Sequence, residues 1–305
     1  MMGSNWRTYI NGNCVTSINL SNGTKIHETK NPDDDKFDFD FAESCDVNLT
    51  NRCDGGCAWC YAGCTPKGEH ADLRNVKFFD TLHPYTELAI NGNDLTHPDL
   101  VWFLEKMKSK NIIVSMTVNQ KHFMKHIDFI RSLINANLIK GLGISLVEPT
   151  DEFIRLVKEF PNAVIHTIAG IITKEELDKL ANNNLKILIL GYKTMKNRGK
   201  TYYEGGHKEE IDSKIKWLAD NLNNYFEKFK VISCDNLCTK QLDIRKIIGD
   251  EKWDECYMGE DGTHTFFIDL VSKKFARTSI SDEQYDLLDN IDDMFKIIKK
   301  EKIGG

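Results

Sequence analysis

The chain has 305 residues, 41% hydrophobic and 28% charged, with a net charge of −6. This balance fits a soluble globular protein of one large or two small domains, and it argues against a nucleic-acid backbone as main partner, which calls for a basic stripe. Mean hydropathy is −0.42, and no apolar run approaches the ~18 residues of a membrane helix. The start, Met-Met-Gly-Ser-Asn-Trp-Arg, lacks the apolar core of a signal peptide. Nine cysteines without a secretion signal point to a cytoplasmic location, with thiolates used for metal.

Residues 6–29 predict a β-meander of Trp6–Ile10, Cys14–Leu20 and Lys25–Thr29, joined by Asn-Gly-Asn and Ser-Asn-Gly-Thr turns. Residues 31–44 form an acidic connector. Its alternating Phe37, Phe39 and Phe41 suggest a short edge strand. Residues 1–42 are expected to form this N-terminal unit.

From 43 to 236 the pattern alternates strand and helix. Strands are expected at 46–50, 86–90, 112–119, 142–147, 163–169, 186–191 and 231–235. Pro98 suits a first helical turn, and Leu100, Leu104 and Met107 form one stripe. Thr173-Lys-Glu-Glu176 reads as a capping box. Repeated βα units predict a parallel sheet with helices outside, either rolled into a partial barrel or laid flat and doubly wound. Residues 237–305 break the pattern with a helix near 239–248, a hairpin of Thr263–Leu270 and Lys274–Ser279, and a last helix capped by Ser281. We read them as a lid over the barrel mouth.

Strand alternation then sorts the polar residues. Val47 and Leu49 are the apolar set of the first strand, leaving Asp46 and Asn48 inward. The same reasoning turns Glu87, Asn119, Ser145 and His166 into the lumen. The expected lumen is a polar cavity rather than a packed barrel core.

The densest chemistry is Cys53-Asp-Gly-Gly-Cys57-Ala-Trp59-Cys60, directly after the first strand. Thiolates this close can share one soft metal centre. A 4Fe–4S cubane usually takes four cysteines, so three leave one iron open to a small molecule. With Cys64, four thiolates on zinc are the alternative.

This stretch resembles the signature of the radical S-adenosylmethionine (SAM) superfamily. The resemblance implies a partial (β/α)6 barrel and a 4Fe–4S cluster on Cys53, Cys57 and Cys60. It also implies SAM chelated at the open iron, and a flavodoxin- or ferredoxin-type reductant. SAM is then cleaved to methionine and a 5′-deoxyadenosyl radical. Asn91-Gly92-Asn93 resembles the loop that holds the SAM amino group, with Asn93 where an acid is usual. By the same resemblance Trp59, Asn119, Ser145, Gly170 and Leu190 fall at cofactor-binding positions.

Cys234, Cys238 and Cys256 partly resemble the start of an auxiliary-cluster domain, but the pattern is incomplete and no second cluster is expected. The overall layout is similar to bacterial queuine lyases of queuosine salvage. That similarity implies C–N cleavage of a free deazapurine base, giving 7-aminomethyl-7-deazaguanine for insertion into transfer RNA. Asp46, Glu87 and Asp235 are the carboxylate candidates for its N–H edge, with Asn48, His166 and Asn236 beside them. A peptide-modifying radical SAM maturase is the alternative.

Overall fold

The computed structural model describes residues 5–31, 33, 34, 36–93 and 95–301. Strands β1 (Trp6–Asn11), β2 (Cys14–Asn19) and β3 (Lys25–Thr29) pair antiparallel as the expected meander. The connector after it is not a strand. Asn11 and Asn13 take its backbone instead: Asn13 Oδ1 accepts from Asp38 N–H at 2.7 Å, and Asn11 Oδ1 from Asp40 and Phe41 at 2.9 and 3.0 Å. With its N–H groups held by side chains, the segment joins no ladder. Phe39 is buried against the His27 ring.

The main sheet contains β4 (Ser44–Asn48), β5 (Glu87–Asn93), β6 (Ile113–Asn119), β7 (Gly141–Ser145), β8 (Ala163–Ile168), β9 (Lys186–Leu190) and β10 (Val231–Cys234), all parallel and in chain order. Helices α1 (Leu100–Ser109), α2 (Gln120–Lys125), α3 (Ile127–Asn135), α4 (Asp151–Val157), α5 (Lys174–Leu180), α6 (Asn197–Tyr202) and α7 (Lys208–Asn221) fall between strands. The Thr173–Glu176 capping box opens α5 as expected. One strand face is apolar: Val47, Leu88, Ile90, Val114, Met116, Ile144, Ile165 and Ile187 are buried, as are Phe103, Phe123, Leu177 and Leu218 of the helices. Burying that face forces the polar face inward. The barrel is not closed, because β10 ends the sheet on one side.

The C-terminal part departs from the lid reading. After α8 (Asn236–Leu242), α9 (Ile244–Ile248) and α10 (Asp250–Cys256), strand β11 (Thr265–Asp269) runs parallel to β4, pairing Thr265 with Ser44 and Asp269 with Asn48. β12 (Lys274–Ala276) and β13 (Tyr285–Asp286) follow antiparallel. The hairpin therefore extends the sheet rather than covering its mouth. Alternation explains the docking: Phe266, Ile268 and Phe275 are buried with Met294, Phe295 and Ile298 of α11 (Ile291–Lys300). The cap of α11 is Asn290, not Ser281, since the Asn290 side chain accepts from Asp292 N–H. Residues after Ser281 are drawn off into β13.

A buried ion pair locks the meander beneath the barrel. Glu43, one residue before β4, accepts from Lys25 Nζ at 2.8 Å, Tyr9 Oη at 2.6 Å and Asn11 Nδ2 at 2.7 Å. Burial pushes the Glu43 carboxyl up, but Lys25 and the two neutral donors outweigh it, and its pKa ends below the ordinary value. Replacing Lys25 with methionine leaves a buried, unpaired carboxylate. We expect a loss of about 3–5 kcal/mol in chemical denaturation. Because the Glu43 pKa is depressed on folding, its contribution is complete above the ordinary carboxylate range and fades as pH falls through the lowered value. The acid limb of the stability curve should therefore flatten in the variant.

Candidate active site in the barrel lumen

The cysteine loop leaves the C-terminal end of β4 and is braced by its own backbone. Cys53 N–H donates to Thr65 O at 2.9 Å, Thr65 N–H to Asn51 O at 3.1 Å, and Asn51 N–H to Glu69 O at 2.9 Å. Cys53, Cys57 and Cys60 are half-buried, whereas Cys64 is buried. The Cys60 thiol is pulled down to about 5, first by its hydrogen bond with Cys64, with Arg198 adding to the effect against burial. Among the described residues, no three Cys, His, Asp or Glu side chains converge as closely as a single ion requires. A cubane holds its thiolates farther apart, one on each iron, and three half-buried thiols on one loop fit that spacing. Among the described residues, nothing accepts from the buried Arg198 Nε–H beside this loop.

Asp46 lies deep in the molecule, yet its side chain is open, because it faces the lumen. Burial raises its pKa to about 6; Lys193 opposes the rise, while Asp261, Glu87 and Asp235 add to it. The lumen thus gathers four carboxylates and one ammonium. Glu87 Oε1 accepts from Ser115 Oγ of β6 at 2.6 Å. The His166 ring lies over Gly143, whose missing side chain makes room for it, and burial lowers its pKa to about 4, leaving it neutral at physiological pH. Ser145 lies between Asn119 and His166 in the strand register.

Other expected residues have structural duties. The Asn48 amide is used up: it donates to Asn51 Oδ1 at 2.8 Å and Asp269 Oδ1 at 2.9 Å, and accepts from Asn91. Asp235 caps α8, its Oδ1 accepting from Cys238 N–H at 2.7 Å and Gly191 N–H at 2.9 Å. Asn236 donates to Asp261 Oδ1 at 2.8 Å. Asn119 Oδ1 caps α2, and its Nδ2 lies beside Gly55 of the cysteine loop. Gly170 has a φ of +83°, and a side chain there would strike Ile211 of α7, so packing alone requires glycine. Leu190 O accepts from Ala169 N–H. The Trp59 ring rests edge-on against Tyr202, at 6.0 Å between centroids. Gly92 and Asn93 close β5; their side chains lie outside the described residues, as does Asp94. In the tail, the Cys234 and Cys238 thiols hydrogen-bond each other, and Cys256 is exposed.

No protein-family model matches the chain, and no curated protein matches it either. Solved structures do. Streptococcus suis SuiB superposes with a TM-score of 0.55 at 12% identity, over 99% of this chain and 88% of its own. The same protein bound to S-adenosylmethionine superposes with a TM-score of 0.55 at 10% identity, over 94% and 85%. The fold is the partial barrel of radical SAM type. Because β4 to β10 are parallel, the cysteine loop after β4 lies at the same end of the sheet as the loops that follow the other strands. Among the described residues no helix is long and apolar enough to cross a membrane.

Sequence reasoning missed Asp261 and gave Lys193 no task in the lumen. Asp261 sits in a turn whose only local signal is Gly-Glu-Asp-Gly. Lys193 follows β9, with its ammonium 3.7 Å from the Tyr61 ring centroid and 2.9 Å from Ser279 Oγ. It links the cysteine loop to the C-terminal segment and also reaches the field of Asp46.

Proposed function

We propose that this chain is a radical SAM enzyme acting on a small, donor-rich molecule, and specifically a queuine lyase. What supports this reading is the Cys53–Cys60 loop at the C-terminal end of β4, with Gly55 beside Asn119, above the inward-facing Asp46 on which Glu87, Asp235 and Asp261 act. Cys53, Cys57 and Cys60 would hold a 4Fe–4S cluster, with SAM bound beside it. When bound, the pair supplies a 5′-deoxyadenosyl radical. The chain's own residues do the rest. The lumen carboxylates accept hydrogen bonds from the N–H and amino edge of a deazapurine, which carries several donors. Neutral His166 and Ser145 add weaker polar contacts without charge. The acidic chain suits a free base better than a nucleic acid.

The test is anaerobic turnover with SAM, a flavodoxin- or ferredoxin-type reductant and queuine, read by product mass. We expect 5′-deoxyadenosine together with 7-aminomethyl-7-deazaguanine. Untouched queuine with modification of a peptide instead sinks the lyase reading and leaves the radical chemistry standing.

A further inference from the structure

The segment after β9 grips the cysteine loop. Tyr192 Oη donates to Gly199 O at 2.9 Å, seating the first turn of α6. Gly199 comes so near the loop that an added Cβ would lie 2.5 Å from Lys193 O, 3.5 Å from Trp59 O and 3.6 Å from Tyr61 Cα. Asn197 Nδ2 donates to Tyr61 O at 2.7 Å. Between these contacts, Arg198 reaches into the loop itself. Its Nη2 donates to Cys64 O at 2.8 Å, which sets the guanidinium charge against the Cys60–Cys64 stretch of the loop. Its Nε–H is buried and has no acceptor among the described residues.

A buried donor with no acceptor costs free energy unless something absent from the bare chain receives it. We propose that Arg198 is the positioning residue that sets the cluster's reduction potential, by holding a buried cationic donor against the Cys60–Cys64 stretch of the cysteine loop and keeping its Nε–H for the cluster. This rests on the cluster assignment to Cys53, Cys57 and Cys60. Hydrogen bonds and positive charge at a thiolate ligand stabilise the reduced, more negative cluster and raise its potential. Arginine suits the task because its fork can hold the Cys64 carbonyl with one N–H and keep another for a second acceptor, and it stays charged at any working pH.

The experiment is a potentiometric titration of the reconstituted protein, followed by the EPR signal of the reduced cluster, without substrate. Arg198→Met removes the charge, and Arg198→Lys keeps it but loses the fork. Tyr192→Phe loosens the seat of α6 without touching charge. We expect about four irons per chain in each, as one 4Fe–4S cluster requires. The midpoint should move to more negative potential in R198M, move less in R198K, and stay at the wild-type value in Y192F. An unchanged midpoint in R198M overturns the proposal, as does an equal shift in Y192F, which assigns the effect to loop seating. If R198M holds no iron, R198K decides: a lowered midpoint supports the proposal and a wild-type one overturns it. A wild-type protein without any 4Fe–4S signal removes the cluster reading and this proposal together.

Discussion

Replacing Cys53, Cys57 or Cys60 with alanine is expected to bleach the anaerobically purified protein and abolish 5′-deoxyadenosine formation. The three thiols lie on one loop whose backbone is tied to Thr65 and Asn51, so each variant removes a ligand without unravelling the loop. Losing one of three protein ligands leaves two irons without protein thiolates, and the cubane is not retained. Iron should fall from about four per chain toward zero. Cys64 cannot simply take over, because its thiol is buried and engaged with Cys60. Changing Cys234, Cys238 and Cys256 together should leave iron at about four per chain, since the first cluster alone is filled. A Cys53→Ala protein that still makes 5′-deoxyadenosine sinks the assignment. About eight irons in the wild type, falling in the triple variant, brings back a second cluster.

Asp46→Asn should cut queuine turnover by orders of magnitude while SAM binding and slow uncoupled cleavage persist. Asp46 feels the other lumen carboxylates and faces the lumen, whereas Asp235 caps a helix and Asn48 is saturated by neighbours. Truncating one partner of a charge-assisted bond costs about 2–5 kcal/mol, or roughly 30- to 5,000-fold. The pH dependence has a definite sign. The raised pKa of about 6 means that the group becomes neutral as pH falls through that value. Charge-assisted acceptance from the substrate is then lost, so kcat/KM should drop on the acid side of about 6 and level off above it. In Asp46→Asn that limb disappears, leaving a low, flat profile. Normal turnover in the variant, or loss of SAM binding in place of turnover, rules out this role for Asp46.

The legible features were those encoded over short distances. The Cys53–Cys60 spacing lies within one loop. The alternation that turns Asp46, Glu87 and His166 inward needs only a strand of known register, because the opposite face must be buried. The parallel order from β4 to β10 follows from repeated βα units, and the Thr173 cap from four consecutive residues.

Contacts between distant segments were decided by tertiary structure alone. β11 lies beside β4 because Phe266 and Ile268 need the cover of α11, although Asp269 meets Asn48 across 221 residues. Arg198 reaches Cys64 across 134 residues, and the charges of Lys193 and Asp261 act on Asp46 from loops without periodicity. The connector's phenylalanines alternate like a strand, but Asn11 and Asn13 claim its backbone first. Local pattern determines which face of an element is apolar. Which polar groups then share the enclosed space depends on how the whole sheet curls, and no short stretch of this chain carries that information.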